Sequence, residues 1–221
     1  STVVVGSDGE RFIAYDDGTR VGAPPELVAE DFRGARLLLV DGYAAASLCA
    51  VRTAVAAGLV VVADIEWSRG AGTDALTALC HHLVLPWDYA ARASGSEEPP
   101  RMLEALWSPS RETVVVTRGA AGAYLRHRAD ARVWHQPAFA VEVVDTTGCG
   151  DWFHGAYAAA LSRGLDTLRS VRFAAAAAAL AATCPGGRGE RVTSEAVGQL
   201  LGAAGAPQPV LVDGSASVPE R

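Results

Sequence analysis

The stretch Asp145–Ala156 combines small and acidic residues at a spacing that can carry chemistry, and it reads Asp-Thr-Thr-Gly-Cys-Gly-Asp-Trp-Phe-His-Gly-Ala. Its small residues let successive backbone N–H groups converge on one point, and the start of a predicted helix adds partial positive charge there. Such a turn can bind a phosphate, or the charge that develops while a phosphoryl group is transferred. Asp151, in the first helical turn, can accept a proton from an attacking hydroxyl.

Simpler interpretations of the same residues stay open at this point. Asp151 alone is also explained as a favourable charge at a helix N-terminus, worth a few tenths to ~1 kcal/mol. A dinucleotide-binding glycine motif fails on spacing, because Phe153 occupies its third glycine position. Zinc spacing is absent, since none of the four cysteines forms a Cys-x-x-Cys pair. The cysteines are Cys49, Cys80, Cys149 and Cys184.

Missing residue types exclude several classes of protein. All 19 basic residues are arginine, and the chain has neither lysine nor asparagine. Without lysine there is no Walker A motif, no protein-kinase strand lysine and no Schiff base for pyridoxal phosphate. The net charge of −6, with no basic run, argues against nucleic acid and anionic membranes as main partners.

The composition is that of a globular protein, with 50% apolar residues and a mean hydropathy of +0.17. The alanine-rich stretch Phe173–Ala182 is too short to span a bilayer, and no signal peptide is visible. We therefore expect a protein of the reducing cytoplasm with no membrane partner.

Continuous apolar runs alternate with helical segments, which predicts a parallel sheet covered by helices on both faces. Ligands bind such sheets outside the carboxyl ends of the strands, where Asp41 and Asp64 stand, although both are equally well explained as turn residues. The predicted strands are Leu37–Val40, Leu59–Ala63, Leu83–Leu85 and Thr113–Thr117. The predicted helices are Tyr43–Ala57, Asp74–Cys80, Trp87–Ala93, Arg101–Trp107, Asp151–Arg163, Thr167–Thr183 and Ser194–Leu201.

Two hairpins and a terminal tail complete the sequence prediction. Thr2–Val5 and Arg11–Tyr15 flank turn residues, as do Ala123–Arg126 and Arg132–His135, and each pair predicts a hairpin. Residues 205–221 are rich in Pro, Gly and Ser and are predicted to be a mobile tail.

The stretch Asp145–Ala156 resembles the signature of the ribokinase/PfkB family of carbohydrate kinases. Further segments resemble the family in the same order, and the resemblance extends over residues 1–202, with ketohexokinase-like members nearest. Val114–Gly122 is similar to its nucleotide-binding strand and loop, and Arg172–Thr183 to its alanine-rich adenine-side helix. Gly186–Gly189 is similar to its last glycine loop, and Gly9–Arg11 to the start of its lid strand.

The resemblance implies a three-layer α/β/α ribokinase-like fold with a mainly parallel sheet and a small β lid. It implies one kinase domain over residues 1–204, with residues 1–20 in the lid, and a possible homodimer formed through that lid. The implied reaction is ATP-dependent transfer of the γ-phosphoryl group to a sugar hydroxyl. Small-molecule sugar and ATP are the implied partners, with Mg²⁺ bridging the phosphates.

The resemblance also implies roles for individual residues. Asp151 would be the general base, and the backbone amides of Gly148, Cys149 and Gly150 would form the anion hole. The nucleotide would be lined by Thr117, Gly119 and Gly122, with Ala175 and Gly187 near the adenine. Asp145 and Thr147 match positions that hold a monovalent cation, such as K⁺, in some members. His154 falls on a variable position, for which no role is predicted.

The sequence differs from the family pattern in three places. Family members carry a further segment in front, which holds most of the sugar pocket, so the chain is expected to be a fragment or to lack that part. The Asn-x-x-Glu motif should fall near Leu85–Ala90, where only Asp88 is a loose substitute. Cys149 stands where alanine is usual, and it is small enough to fit.

Two alternatives to a sugar kinase remain. The absent Asn-x-x-Glu motif allows a kinase-like domain that binds nucleotide or sugar without turnover, although Asp151 and the glycine turn argue against it. A kinase with another acceptor, a nucleoside or an already phosphorylated sugar, is the second alternative.

Overall fold

A computed structural model describes residues 2–5, 11–14, 27–68, 70–189 and 191–212 of the chain. The strands are β1 (Thr2–Val5), β2 (Arg11–Ala14), β3 (Leu37–Asp41), β4 (Val60–Asp64), β5 (His82–Pro86), β6 (Thr113–Thr117), β7 (Ala123–His127), β8 (Asp130–Gln136) and β9 (Val210–Leu211). The α-helices are α1 (Leu48–Ala56), α2 (Ala71–Leu79), α3 (Trp87–Ser94), α4 (Pro99–Ala105), α5 (Cys149–Ser162), α6 (Thr167–Ala182) and α7 (Ser194–Gly202).

Seven strands form one sheet in the order β3-β4-β5-β6-β7-β8-β9. Strands β3 to β6 are parallel neighbours, whereas β7, β8 and β9 are joined antiparallel. The parallel part arises because the apolar runs predicted as buried strands are separated by helices, which return the chain to the same sheet edge.

The side chains of each central strand alternate between two apolar cores. In β5, Leu83 and Leu85 pack in the core that also contains residues of α1 to α4. Val84 points to the opposite core, which contains residues of α5, α6 and α7. Since successive strand residues face opposite sides, a continuous apolar run serves both cores at once. The predicted three-layer α/β/α arrangement is thus confirmed.

Helices α5 and α6 pack against one face of the sheet with small residues at their contact. Helix α6 buries Ala174, Ala176, Ala177 and Ala181, each no more than 1% exposed. Helix α5 contributes larger groups, Phe153 and Tyr157, to the same core. This pairing positions the N-terminus of α5 relative to the C-terminus of α6. Within the described residues, no helix is long and apolar enough to cross a membrane.

Parallel pairing brings polar groups together at the carboxyl edge of the sheet. Asp41 at the end of β3 lies opposite Asp64 at the end of β4, and Asp64 in turn lies opposite Val84 in β5. Thr117 at the end of β6 lies opposite Pro86. The loops that follow these strands therefore share one edge, as expected for a ligand site in this class of fold.

The structure differs from the predicted elements in two places. The segment predicted as one helix over Tyr43–Ala57 is a 3₁₀ helix, Gly42–Ser47, followed by α1. Within the segment predicted as a tail, Val210–Leu211 forms β9 beside β8, and the Val212 amide donates to the carbonyl of Val133. Mobility of the tail stays a prediction, and residues 213–221 lie outside the described part.

The first predicted hairpin forms a small separate sheet. Strands β1 and β2 pair antiparallel, with Thr2 opposite Ala14 and Val5 opposite Arg11. The predicted turn between them, at residues 6–9, lies outside the described residues. The action of this hairpin as a lid stays a prediction.

A buried polar pair joins α5 to the sheet far from its N-terminus, and it supplies a test of the packing. Nδ1 of His82 lies 2.8 Å from the Tyr157 hydroxyl, and burial lowers the pKa of His82 to about 4. We expect Tyr157→Phe to lower the free energy of unfolding by about 1–3 kcal/mol, because the imidazole loses its partner. Urea unfolding measures this. Tyr43→Phe, at a half-exposed position, is the control, and an equal loss in both variants would contradict the prediction.

Candidate active site

The turn before α5 is in backbone contact with the last glycine loop. Gly148 ends the turn with a φ of +75°, a left-handed conformation that favours glycine. A Cβ atom added at Gly148 would lie 2.8 Å from the Cα of Gly187 and 3.0 Å from its carbonyl oxygen. The two segments predicted to bind phosphate and adenine are therefore adjacent, and their contact requires glycine at position 148.

The Asp145 carboxylate fastens the same two segments by hydrogen bonds. Its Oδ1 accepts the Thr147 amide at 2.8 Å, and its Oδ2 accepts the Gly186 amide at 2.8 Å. The carbonyl of Ala182, the last residue of α6, accepts the amides of Val144 and Asp145 at 2.7 and 3.1 Å. The turn is thus held by a helix end and by the glycine loop together.

Trp152 makes a third connection between α5 and the glycine loop. Its indole Nε1 donates to the Gly187 carbonyl at 3.1 Å. The ring also packs against Gly189, where an added Cβ would come within 2.6 Å of that nitrogen. A side chain larger than hydrogen at Gly189 would displace the indole.

The N-terminus of α5 faces acidic side chains. The first N–H groups of a helix have no carbonyl partner within the helix, and here the Cys149 amide donates to Thr146 at 3.2 Å. Asp151 is exposed in the first turn. A Cβ at Gly150 would be 4.0 Å from Oε1 of Glu66, so that carboxylate lies beside the turn. The helix end combines hydrogen-bond donors with a carboxylate that is accessible to a ligand.

Asp64 is the most perturbed carboxyl group at this edge. Burial raises its pKa to about 7, with further contributions from Glu66, Asp151 and Asp41. Among the described residues, no three acidic, histidine or cysteine side chains are arranged to hold a metal ion by themselves. The cluster of carboxylates would instead favour a ligand that brings its own cation.

His154 contacts Asp64 from the second turn of α5. Its Nδ1 lies 3.2 Å from Oδ2 of Asp64 and 2.7 Å from the carbonyl oxygen of Gly150. Burial lowers the pKa of His154, so near neutral pH the ring is uncharged, and its one Nδ1 hydrogen is donated to the nearer acceptor, the Gly150 carbonyl, with the Asp64 carboxyl beside it.

The predicted nucleotide loop is closed by hydrogen bonds at the same sheet edge. Thr117 donates from Oγ1 to the Leu85 carbonyl at 3.4 Å, and the Arg118 amide donates to Gly122 at 2.7 Å. Gly122 has a φ of +88°, and a Cβ there would overlap the Gln136 carbonyl at 2.1 Å. Gly119, with a φ of +50°, borders open space. Position 122 therefore requires glycine for packing, whereas position 119 leaves room for a ligand.

The sequence of the chain matches the profile of a known protein family. The profile of the pfkB family carbohydrate kinases matches residues 1–193. The chain belongs to this family. The match covers the glycine turn, the nucleotide loop and the last glycine loop, the segments whose sequences resemble the family.

Individual PfkB relatives are longer than this chain. The 5-dehydro-2-deoxygluconokinase of Shouchella clausii is 30% identical over 179 residues, which is 72% of this chain and 54% of that protein. The chain thus spans about half the length of this curated relative.

Solved structures agree with the fold. A putative ribokinase from Agrobacterium tumefaciens is 29% identical with a TM-score of 0.77, over 91% of this chain and 68% of that one. Arabidopsis thaliana ribokinase complexed with ribose and ATP is 25% identical with a TM-score of 0.74, over the same shares of the two chains.

The predicted site residues fall into one connected group and two outlying ones. Asp145, Thr147, Gly148 and Gly187 are joined by direct contacts, and Cys149, Gly150 and Asp151 continue from them into α5. The outlying parts are the nucleotide loop at the end of β6 and Ala175, half-buried in α6. Sequence reasoning missed the contacts of Trp152 and His154, because nothing in a linear motif tells which distant residue a side chain meets.

The glycine contact can be tested by substitution. Gly148→Ala is expected to lower the free energy of unfolding by at least about 2 kcal/mol, because it combines a strained φ with overlap on Gly187. Gly155→Ala is the control on the same helix, since an added Cβ there meets nothing within 4 Å. It is expected to stabilise by roughly 0.5–1 kcal/mol. Equal effects of both in urea unfolding would contradict the packing described here.

The raised pKa of Asp64 predicts a pH dependence of stability. The Asp64 carboxyl has a pKa of 3.8 in the unfolded chain and about 7 in the folded one. Between these pH values the folded state therefore binds one proton that the unfolded state has lost. The contribution of Asp64 to stability therefore falls as pH rises from about 4 to 7. Asparagine at position 64 does not titrate. The free energy of unfolding of Asp64→Asn, taken relative to that of the wild type, should therefore be about 2 kcal/mol higher at pH 7.5 than at pH 5. Urea unfolding at both pH values measures this, and a constant difference would refute it.

Proposed function

We propose that the chain carries out ATP-dependent phosphoryl transfer to the hydroxyl of a carbohydrate. The observation that carries this proposal is the position of Asp151, an exposed carboxylate in the first turn of α5 beside the turn that packs on Gly187. A proton acceptor next to converging N–H groups is what transfer to a hydroxyl requires. Membership of a family of carbohydrate kinases supports a sugar as the acceptor.

Each part of the turn has a distinct task in the proposed mechanism. Asp151 accepts the proton of the attacking hydroxyl. The backbone N–H groups of Gly148 and Gly150, and that of Cys149 once it releases the Thr146 carbonyl, receive the negative charge of the γ-phosphoryl group, where fixed donors stabilise a transition state most. Position and electrostatics, rather than covalent chemistry, supply the catalysis.

The nucleotide would lie between the two glycine loops. Thr117, Gly119 and Gly122 are proposed to line it, and the open space at Gly119 supports this. Ala175 and Gly187 are proposed to flank the adenine. The contact of Gly187 with Gly148 would then connect the segment that binds the adenine with the segment that binds the γ-phosphoryl group.

Cations fit the site in two ways. Bound Mg²⁺ would neutralise the phosphate oxygens of ATP, held mainly by them and through water by Glu66, which faces Gly150. Asp88, the loose match to the missing motif, is exposed in the first turn of α3. A monovalent cation such as K⁺ is proposed at Asp145 and Thr147. The Thr147 hydroxyl supports this, because it is buried without a hydrogen-bond partner among the described residues.

Two further proposals concern the whole protein. The hairpin β1–β2 would act as a lid that excludes water from the transferring phosphoryl group, and lids of two chains would pair in a homodimer. A cytoplasmic location fits a protein that uses ATP and intracellular sugars.

The proposal is tested by ADP release in the presence of Mg·ATP and K⁺ over a panel of sugars. The panel contains ribose, ketoses, keto-deoxy sugar acids, nucleosides and fructose 1-phosphate. We expect sugar-dependent ADP release that falls at least about 1,000-fold in Asp151→Asn while calorimetric ATP binding persists. Asp166→Asn is the matched control, because Asp166 caps α6 and asparagine caps equally well.

Each outcome of this experiment decides between functions. Near-normal turnover in Asp151→Asn would remove that residue from the mechanism. ATP binding without ADP release for any acceptor would favour a non-catalytic binding domain. Release with nucleosides or the sugar phosphate alone would replace the sugar by that acceptor class.

A further inference from the structure

His154 is a buried polar residue that the proposed mechanism does not use. It is 4% exposed and lies three residues after Asp151 in α5. Its Nδ1 is within hydrogen-bond distance of the Gly150 carbonyl, at 2.7 Å, and close to Oδ2 of Asp64, at 3.2 Å. Since a carbonyl oxygen can only accept, Nδ1 carries the proton and donates to it.

The Gly150 carbonyl belongs to the same planar peptide unit as the Asp151 amide. Fixing the direction of that carbonyl fixes the N–H on the opposite side of the plane. It also fixes the Cα from which the Asp151 side chain extends. A side chain that holds this carbonyl therefore adds to the helical hydrogen bonding that orients both a donor and the carboxylate of the candidate site.

Asp64 supplies the fixed point for this contact. It ends β4, which is hydrogen-bonded between β3 and β5 in the interior of the sheet. Oδ1 of Asp64 is buried and has no hydrogen-bond partner among the described residues, while Oδ2 lies 3.2 Å from the His154 Nδ1 that donates to the nearer Gly150 carbonyl. The imidazole thereby spans from the sheet to the first turn of the helix.

We propose that His154 is a positioning residue for phosphoryl transfer: its ring joins the Gly150–Asp151 peptide to Asp64 on β4 and so aligns that peptide with the γ-phosphoryl group. This inference rests on the proposed function for the identity of the ligand. It does not depend on which sugar is the acceptor.

A second buried histidine, His82 on β5, also contacts α5 and provides the matched control. His82 is 6% exposed, and its Nδ1 lies 2.8 Å from the hydroxyl of Tyr157, which follows His154 by three residues in α5. His82→Leu and His154→Leu each remove a buried imidazole that contacts a group of α5. The His154 imidazole contacts the first turn of the helix, whereas the His82 imidazole does not.

The test compares binding of Mg·ATP and Mg·ADP by calorimetry. We expect His154→Leu to weaken Mg·ATP binding about tenfold and Mg·ADP binding by less than about twofold, because only the γ-phosphoryl group reaches the first turn. His154→Asn retains a donor near the Nδ1 position and should recover most of the loss. His82→Leu should lower the melting temperature and leave both affinities unchanged. Equal weakening of ATP and ADP by His154→Leu, or the same loss in His82→Leu, would overturn the proposal.

Deuterium uptake in the nucleotide-free protein separates this inference from the proposed function. Uptake by a peptide covering residues 145–153 should rise in His154→Leu and stay at the wild-type level in His154→Asn and His82→Leu. Unchanged uptake in His154→Leu would overturn the positioning role. If the wild-type chain binds no Mg·ATP, the proposed function fails, while uptake still decides whether His154 holds the turn.

The pairing with Asp64 has its own test. If the two side chains act as one unit, Asp64→Ala in the His154→Leu background adds no further loss of Mg·ATP affinity. Fully additive losses of affinity would mean that the two side chains act separately, which would overturn the proposed pairing of His154 with Asp64.

Discussion

Backbone contact between Gly148 and Gly187 is the constraint on which the arrangement of the site depends. The two segments can approach this closely only because position 148 carries no Cβ, and Gly148 also needs its left-handed φ, whereas a Cβ on Gly187 would lie at an ordinary contact distance of 3.6 Å from the Gly148 Cα. The Asp145 carboxylate and the Trp152 indole add hydrogen bonds around the same contact. The start of α5 is thus defined by the loop that follows α6 as much as by its own sequence.

The carboxyl edge of the sheet is electrostatically unfavourable in the absence of a ligand. Burial and three neighbouring carboxylates oppose the charge of Asp64, while the positive end of α5 offsets only part of this. The two apolar cores on either side of the sheet supply the stability that tolerates such a site. Strain and repulsion of this kind are common where a protein binds charged ligands.

The sequence predicts those features that repeat along the chain or form a continuous motif. Apolar runs located β3 to β6 within about one residue, and the glycine-rich stretch located the start of α5. Strand β9 was missed because two residues show no periodicity. The 3₁₀ start of the segment before α1 was missed because tyrosine and alanines fit either helix type. The contact of His154 with Asp64 joins residues 90 positions apart, and a single sequence holds no record of that pairing.

Helix α6 has a further consequence for how this chain can change in evolution. Ala174, Ala177 and Ala181 on this helix are almost completely buried, so only methyl groups enter the core there. A larger side chain at these positions would have to displace neighbouring core residues. The helix therefore acts as a spacer of fixed thickness, and its buried alanines are expected to change only to residues as small as glycine or serine.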